Sequence, residues 1–126
     1  MKNLTRILLI DDEPEFRFLI KTDLENEGFE VLEAADGFAG IKLALSENPD
    51  LILLDLNMPE PDGHQVFRMI RNHDLLRDIP VIILTTGDDI NDRLRQTTEV
   101  ADDHIAKSLD PKERIARIRS ILARNR

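Results

Sequence analysis

The sequence predicts an α/β fold in which a doubly wound, five-stranded parallel sheet is covered by five helices. Short apolar runs alternate five times with longer segments of helical periodicity, and this alternation is typical of parallel strands joined by crossover helices. The connections are short, which favours an open sheet, and five strand–helix pairs are too few for an eightfold barrel. The 126 residues are enough for one domain with a real core.

The predicted strands are short runs of apolar residues. The first, third and fourth are almost continuously apolar, which indicates burial on both faces of the sheet, whereas the second alternates. In chain order the strands are "TRILLI", "FEVLEA", "LILL", "PVIIL" and "DHIA".

The first two predicted helices each carry an apolar stripe. The first, "PEFRFLIKTDLENEG", ends near Gly28, which suits a helix C-terminal cap. Its apolar face comprises Phe16, Leu19, Ile20 and Leu24. In the second, "GFAGIKLALSENP", the stripe comprises Phe38, Ile41 and Leu45.

The remaining helices differ in polarity. The third, "HQVFRMIRNH", has an apolar face of Val66, Phe67 and Ile70, whereas the fourth, "INDRLRQTTEV", is mostly polar. The last, "DPKERIARIRSIL", carries start signals that predict Asp110 as the N-cap, Pro111 as the first residue and Glu113 as the capping-box partner.

Composition excludes several classes of function. A formal charge of −8 and 4% aromatic residues argue against a general nucleic-acid binder, which needs a basic face and stacking platforms. The absence of cysteine excludes disulfides and thiolate chemistry. No apolar run approaches the roughly 20 residues that cross a bilayer, and the N-terminus lacks a signal-peptide core. We therefore predict a cytoplasmic protein.

Polar residues follow the predicted strands at their carboxyl ends, where doubly wound sheets bind ligands. They are Asp11, Asp12, Asp55, Thr85, Thr86 and Lys107. Carboxylates that share one pocket repel unless a cation is present, and oxygen ligands suit Mg²⁺. A hydroxyl and an ammonium beside them would suit a tetrahedral anion. The pattern therefore predicts metal-assisted phosphoryl transfer with Asp55 as the nucleophile.

Each of these residues also has a local explanation when taken alone. Asp12 or Glu13 could cap the helix that begins at Pro14, and Asp55 could open a turn. Lys107 could be an ordinary solvated side chain. Only the coincidence of all of them at strand ends favours a shared site.

Four segments together resemble the receiver domain of two-component response regulators, within the chemotaxis-regulator-like superfamily. They are "LLIDDE" (8–13), "DLILLDLNMPEPDG" (50–63), "PVIILTT" (80–86) and "ADDHIAK" (101–107), in the family's order and spacing. The resemblance covers residues 1–126, which we predict to be a single receiver domain. It implies a flavodoxin-like sheet with strand order 2-1-3-4-5.

The resemblance also implies a role for each residue of the pocket. A histidine kinase or histidine phosphotransfer protein would phosphorylate Asp55, and Thr85 and Lys107 would contact the phosphate. Asp62 and Gly63 would form the turn into the third helix. The implied ligands of Mg²⁺ are Asp11, Asp12, Asp55 and the backbone carbonyl of Asn57.

The chain departs from the family pattern near its last strand. Ser108 and Leu109 stand where Pro and often Phe are usual, His104 stands at the position of an aromatic switch residue, and Thr86 is bulkier than the common Ala. A cis bond before a non-proline residue costs about 2.5–4 kcal/mol, so we predict that the Lys107–Ser108 bond is trans. These changes leave the acidic pocket intact.

The predicted function is a phosphorylation-operated signalling switch, not an enzyme that acts on an outside metabolite. It would act through a downstream protein, a missing output domain or a phosphorylation-dependent dimer, without direct nucleic-acid or membrane contact. One alternative is a receiver-like interaction module that works without phosphate. A second is an aspartate-nucleophile phosphatase, which would need an acid at the position of Asn57. A third, an FMN binder, is disfavoured because "DDEPE" would repel a phosphate.

Overall fold

The computed structural model describes residues 4–86 and 101–124. The strands in these residues are β1 (Arg6–Ile10), β2 (Glu30–Ala34), β3 (Leu51–Asp55), β4 (Val81–Thr85) and β5 (Asp103–Ala106). The helices are α1 (Pro14–Asn26), α2 (Gly37–Glu47), α3 (Gly63–Asn72) and α4 (Pro111–Arg124). The helix predicted over "INDRLRQTTEV" lies outside the described residues.

The sheet is parallel throughout, with strand order β2-β1-β3-β4-β5, which confirms the predicted fold class and topology. Its register aligns the strand ends: Asp55 pairs with Leu84, and Thr85 pairs with Ala106. The carboxyl ends of β3, β4 and β5 therefore meet at one edge of the sheet.

The core consists of two layers, one on each face of the sheet. On one face α2 and α3 cover the strands, and the buried residues there include Leu8, Ile52, Leu54, Val66, Phe67 and Ile83. On the other face α1 and α4 cover the strands, and the buried residues include Leu9, Leu53, Leu84, Ile20, Leu24 and Ile118. Because both faces are covered, the central strands are apolar except at their ends, where Arg6, Asp55 and Thr85 lie, as the sequence predicts.

Helix α2 buries a different face from the one predicted. Gly37, Gly40 and Ala44 point inward, whereas Phe38 is 62% exposed and Leu45 is 41% exposed. A Cβ on Gly40 would lie within 3.0 Å of the Ile10 side chain, so α2 approaches β1 too closely for a larger residue. The small residues therefore form the packed face, and of the predicted stripe only Ile41 packs against the core, where it is partly buried.

Helix α1 follows the prediction except at one position. Ile20 and Leu24 are buried and Phe16 is partly buried, but Leu19 is 51% exposed. The chain leaves the helix through Gly28, whose φ of 91° lies in the left-handed region that favours glycine.

Helix α4 begins at Pro111, the predicted first residue. The Asp110 carboxylate accepts a hydrogen bond from the Lys112 backbone N–H at 3.2 Å, so Asp110 caps the helix. Across residues 4–86 and 101–124, none of the helices combines the length and the apolar character that crossing a membrane requires.

Candidate functional site

The alternation of side chains along the strands places three charged residues on the same face of the sheet. Leu9, Leu53 and Ile105 point toward α1 and α4. Two positions further along each chain segment come Asp11, Asp55 and Lys107, at the carboxyl edge. The period of two along a strand therefore brings two acids and a lysine together, as the sequence predicts.

Lys107 contacts three carboxylates. Its Nζ lies 2.9 Å from Asp11 Oδ2 and 3.4 Å from Asp55 Oδ2, and it also donates a hydrogen bond to Glu13 Oε1. The Phe16 ring lies on another side of the ammonium, with its centroid 4.6 Å from Nζ. Burial alone would lower the pKa of Lys107, but Glu13, Asp11 and Asp55 together raise it above its ordinary value. The lysine is therefore charged.

Asp55 is a buried carboxylate at the tip of β3. Its side chain is 1% exposed, and its Oδ1 accepts a hydrogen bond from the Asn57 backbone N–H at 3.1 Å. Burial and the charge of Asp11 raise the pKa of Asp55 to about 6, although Lys107 and the Asn57 N–H oppose this rise. The acid is therefore held in a site where its negative charge is incompletely compensated.

Asp11 is held by backbone contacts on both sides. Its own N–H donates to the Ala34 carbonyl at 3.1 Å, and its Oδ1 accepts from the Glu13 N–H at 2.8 Å. The Arg17 guanidinium donates to the Asp11 carbonyl at 2.7 Å, which ties the end of β1 to α1. Asp11 is fully buried, and these hydrogen bonds to the protein fix its position.

Asp11, Asp12 and Asp55 form a candidate metal site. One carboxylate oxygen of each lies within 4.8 Å of the other two. Asp11 Oδ2 and Asp55 Oδ2 are buried and have no hydrogen-bond partner beyond their ion pairs with Lys107. Closely spaced carboxylates with spare acceptor capacity suit a hard divalent cation, so the residues present fit Mg²⁺.

Thr85 lies beside this cluster at the end of β4. It is fully buried and its Oγ1 has no hydrogen-bond partner, which is unusual for a buried hydroxyl. Its carbonyl accepts from the Lys107 N–H at 2.7 Å, so β4 positions the backbone that carries the lysine. The neighbouring Thr86 is exposed, and its Oγ1 accepts from the Asn57 side-chain amide at 3.4 Å.

Residues 7–119 match the family model of the response regulator receiver domain. The chain belongs to the response regulator receiver domain family. This confirms the resemblance found in the sequence and makes the chain a homologue of the response regulators of two-component phosphorelay signalling.

Two curated relatives match this chain over about half of their own length. The chain is 41% identical over 119 residues to the DNA-binding dual master transcriptional regulator RpaA of Synechocystis, covering 94% of this chain and 49% of that protein. It is 40% identical over 118 residues to the transcriptional regulatory protein SrrA of Staphylococcus aureus, covering 94% of this chain and 48% of SrrA. The chain thus spans about half the length of the curated relatives it matches.

A solved receiver domain has the same fold over its whole length. The crystal structure of a response regulator receiver domain protein from Clostridium thermocellum superposes with a TM-score of 0.86 at 28% identity, covering 96% of both chains.

Apart from Thr86, which follows β4, the named departures of this receiver domain from the family pattern lie on β5 and after it. His104 pairs with Ile83 of β4 and is half-buried, and its carbonyl accepts from Arg117 at 3.2 Å. In residues 4–86 and 101–124 the one cis peptide bond is Glu60–Pro61, so the Lys107–Ser108 bond is trans, as predicted.

The start of α3 fixes the backbone of the receiver domain's central strand. Asp62 and Gln65 form a reciprocal capping box, with bonds of 2.9 and 2.7 Å. A Cβ on Gly63 would lie within 3.0 Å of the Asp55 carbonyl oxygen and of Leu56 Cα. Only glycine lets α3 begin this close to the backbone of Asp55.

Sequence reasoning missed Glu13 and Phe16 as neighbours of Lys107. Glu13 was considered only as a helix cap, yet its side chain makes no cap hydrogen bond. A signal was present: Pro14 at the first position of α1 puts Glu13 at the N-cap, and glutamate is not among the preferred N-cap residues. A carboxylate that is unused for capping at the ligand edge of the sheet is free to pair with a cation.

Proposed function

We propose that this receiver domain accepts a phosphoryl group at Asp55 in a Mg²⁺-dependent reaction and thereby switches a protein-interaction surface. The donor is a phosphohistidine on a histidine kinase or a histidine phosphotransfer protein. The single observation that carries the proposal is the buried Asp55 at the tip of β3, beside both the acidic cluster and Lys107. The family membership supports the same reaction.

The proposed transfer forms an acyl phosphate. A carboxylate oxygen of Asp55 attacks the phosphorus, the P–N bond to the donor imidazole breaks, and the imidazole nitrogen keeps the electron pair and takes up a proton. The signal ends when water attacks the same phosphorus and the P–O bond to Asp55 breaks. The Asp55 carboxylate is regenerated, and inorganic phosphate leaves with the oxygen of the water, whose protons pass to the phosphate and to solvent. The domain thus catalyses its own phosphorylation and dephosphorylation.

The residues that would hold Mg²⁺ are Asp11, Asp12, Asp55 and the backbone carbonyl of Asn57. The bound ion would supply positive charge to the phosphoryl oxygens as they cross to the carboxylate. The oxygen-only donor set and the 4.8 Å clustering support this choice. The bound ion would also balance the negative charge of Asp55. The raised pKa of Asp55 indicates that its surroundings compensate this charge only in part.

Two further side chains would bind the phosphoryl oxygens directly. Lys107 offers an ammonium that already reaches Asp55, and Thr85 offers a buried hydroxyl with no hydrogen-bond partner. An unsatisfied buried hydroxyl costs on the order of 1–3 kcal/mol, so a phosphoryl oxygen that accepts from it recovers that free energy. We propose that this recovery pulls β4 and the residues after it toward the phosphorylated site.

The switched surface in this proposal includes β5 and α4. His104 takes the place of the aromatic switch residue, and it is half-buried on the strand next to Thr85. Charged groups lie nearby: the partly buried Asp103 Oδ1 is 3.7 Å from Arg117 Nη1, and Arg117 Nε is 4.0 Å from Glu113 Oε2. A downstream protein, an output domain or a second copy in a phosphorylation-dependent dimer would read this surface, without nucleic-acid or membrane contact by this domain. The predicted cytoplasmic location stays a prediction.

Incubation with Mg²⁺ and acetyl phosphate, followed by intact-mass measurement, tests the function. We expect the mass of one phosphoryl group to be added to the wild type and not to Asp55→Asn. Asp12→Asn should also block the addition, whereas Asp74→Asn, which changes a 92%-exposed carboxylate away from the pocket, should not. Equal labelling of Asp55→Asn would contradict the proposal.

A further inference from the structure

The three carboxylates around Lys107 differ sharply in exposure. The side chains of Asp11 and Asp55 are 0% and 1% exposed, whereas that of Glu13 is 60% exposed. The first two are fixed by the ends of β1 and β3. Glu13 reaches Lys107 from the solvent side, at the start of α1.

The number of donors on Lys107 limits what else it can bind. An ammonium carries three N–H groups and no acceptor, and here three carboxylates surround it. Phosphorylation converts the Asp55 carboxylate into an acyl phosphate, so a phosphoryl oxygen can take over the Asp55 contact with Lys107. A closer approach of the ammonium to the phosphoryl group must then weaken its contact with Asp11 or with Glu13. Glu13 is the one that can be displaced at least cost, because an exposed carboxylate regains water when it leaves.

We propose that Glu13 is a positioning residue that competes with the incoming phosphoryl group for Lys107 and so restrains the loading of Asp55. This inference rests on the proposed function and adds a residue to it that family resemblance does not assign. After displacement, the Glu13 carboxylate also faces an added anion in the pocket, and like charges repel. Both effects oppose loading.

The local structure makes Glu13 dispensable for folding. It occupies the N-cap of α1, but its side chain makes no cap hydrogen bond, so no helix N–H depends on the Glu13 carboxylate. Lys107 would still contact Asp11 and Asp55 and lie 4.6 Å from the Phe16 ring centroid after Glu13 is replaced. A substitution should therefore release Lys107 from one partner and leave the rest of the site in place.

Beryllofluoride, a phosphoryl mimic, tests the inference at saturating Mg²⁺, with binding followed through backbone amide signals. We expect Glu13→Gln and Glu13→Ala to bind it about two- to fivefold more tightly than the wild type, the range set by one partly exposed ion pair. Glu15→Gln is the matched control, because it removes an exposed charge from the first turn of the same helix and Glu15 is not among the three carboxylates on Lys107.

A second readout follows Lys107 itself. The Nζ proton signal of Lys107 in the unloaded protein should shift in both Glu13 variants and stay in place in Glu15→Gln, a change that a purely structural role of Glu13 would not produce. Phosphorylation by acetyl phosphate should accelerate in parallel with beryllofluoride affinity.

Three outcomes would overturn the inference. They are an unchanged affinity in both Glu13 variants, a weaker affinity in both, and an equal gain in Glu15→Gln. Failure of the wild type itself to bind beryllofluoride or take up phosphate would instead refute the proposed function and this inference with it, so the two failures are distinguishable.

Discussion

The ammonium of Lys107 lies 2.9 Å from the carboxylate of Asp11, a residue with no exposed surface. The same ammonium lies 3.4 Å from Asp55, so one cation serves two buried acids that strands β1 and β3 bring to the same edge. One positive charge between two negative charges leaves part of the negative charge in the pocket uncompensated. Burial and this uncompensated negative charge together raise the pKa of Asp55, and the same uncompensated charge makes the pocket suitable for a divalent cation.

Lys107→Met should destabilise the metal-free protein. The substitution keeps a long apolar stem but leaves Asp11 and Asp55 without a cation, and we expect the free energy of unfolding to fall by roughly 2 kcal/mol at pH 7. Urea unfolding in EDTA measures this, and addition of Mg²⁺ should recover most of the loss. Lys42→Met, at an exposed position, is the control and should have little effect. An equal loss with and without Mg²⁺ would argue against the electrostatic explanation.

Asp55→Asn should stabilise the metal-free protein at neutral pH and flatten its pH dependence. Because the folded protein raises the pKa of Asp55 from 3.8 to about 6, the folded state holds this proton more tightly than the unfolded chain does. The resulting stabilisation is fully present below about pH 4 and is lost as the pH rises through 6. Between these limits the loss is on the order of 2–3 kcal/mol.

The measurement is urea unfolding between pH 4 and pH 7.5 in EDTA. The difference in the free energy of unfolding between Asp55→Asn and the wild type should grow as the pH rises from about 4 to about 6 and then level off. Asp74→Asn should show no such trend. A difference that is constant over this range would mean that Asp55 does not titrate there in the folded protein.

The positions of Asp11, Asp55 and Lys107 could be predicted because they depend on strand pattern alone. A parallel sheet aligns the carboxyl ends of its strands, and a period of two decides which side chains share a face. The ion pair between Glu13 and Lys107 could not be predicted in this way. It depends on how two long side chains, distant in sequence, bend toward each other above the sheet edge.

The sequence pattern also could not predict which face of α2 points inward. An apolar stripe is recognised in a sequence by its large residues, and this criterion placed Phe38 and Leu45 on the buried face. The actual face is set by the distance between helix and sheet, and at Gly40 that distance leaves no room beside Ile10. Close approach favours the smallest residue over the most apolar one, and nothing within the helix reports that distance.

Gly63→Ala should impair phosphorylation more than its effect on stability explains. The added Cβ would press on the Asp55 carbonyl and on Leu56, so the end of β3 must shift. Overpacking of this kind costs about 1–3 kcal/mol, and the displaced carboxylate should be phosphorylated at least severalfold more slowly. Rates of labelling by acetyl phosphate, together with urea unfolding, separate the two effects.

Gly28→Ala provides the comparison. Gly28 has a φ of 91° and open space around its Cα, so alanine there strains the backbone without touching the site. It should lower stability by about 1 kcal/mol and leave the labelling rate unchanged. Equal labelling rates in Gly63→Ala and Gly28→Ala would show that β3 tolerates the Cβ.

Arg114 and Asp23 should respond asymmetrically to substitution. Arg114 is 2% exposed in the α1–α4 interface, its Nη2 lies 3.5 Å from Asp23 Oδ2, and its Nη1 has no hydrogen-bond partner. Burial lowers the pKa of Arg114, although Asp23 and Asp110 oppose the shift. The guanidinium thus bears a large desolvation cost that a single ion pair, distant for a hydrogen bond, offsets only in part.

Asp23→Ala removes the nearest counter-charge and leaves the buried guanidinium in place, so we expect a loss of about 2–3 kcal/mol in the free energy of unfolding. Arg114→Met removes the buried charge and keeps an apolar side chain of similar length beside Phe16, so we expect a change within about 1 kcal/mol, in either direction. The double substitution should be close to Arg114→Met alone, because Asp23 is 31% exposed and water can solvate it once the arginine is gone. Urea unfolding of the four proteins forms a complete double-mutant cycle. A loss from Arg114→Met as large as that from Asp23→Ala would show that the ion pair outweighs the desolvation of its guanidinium.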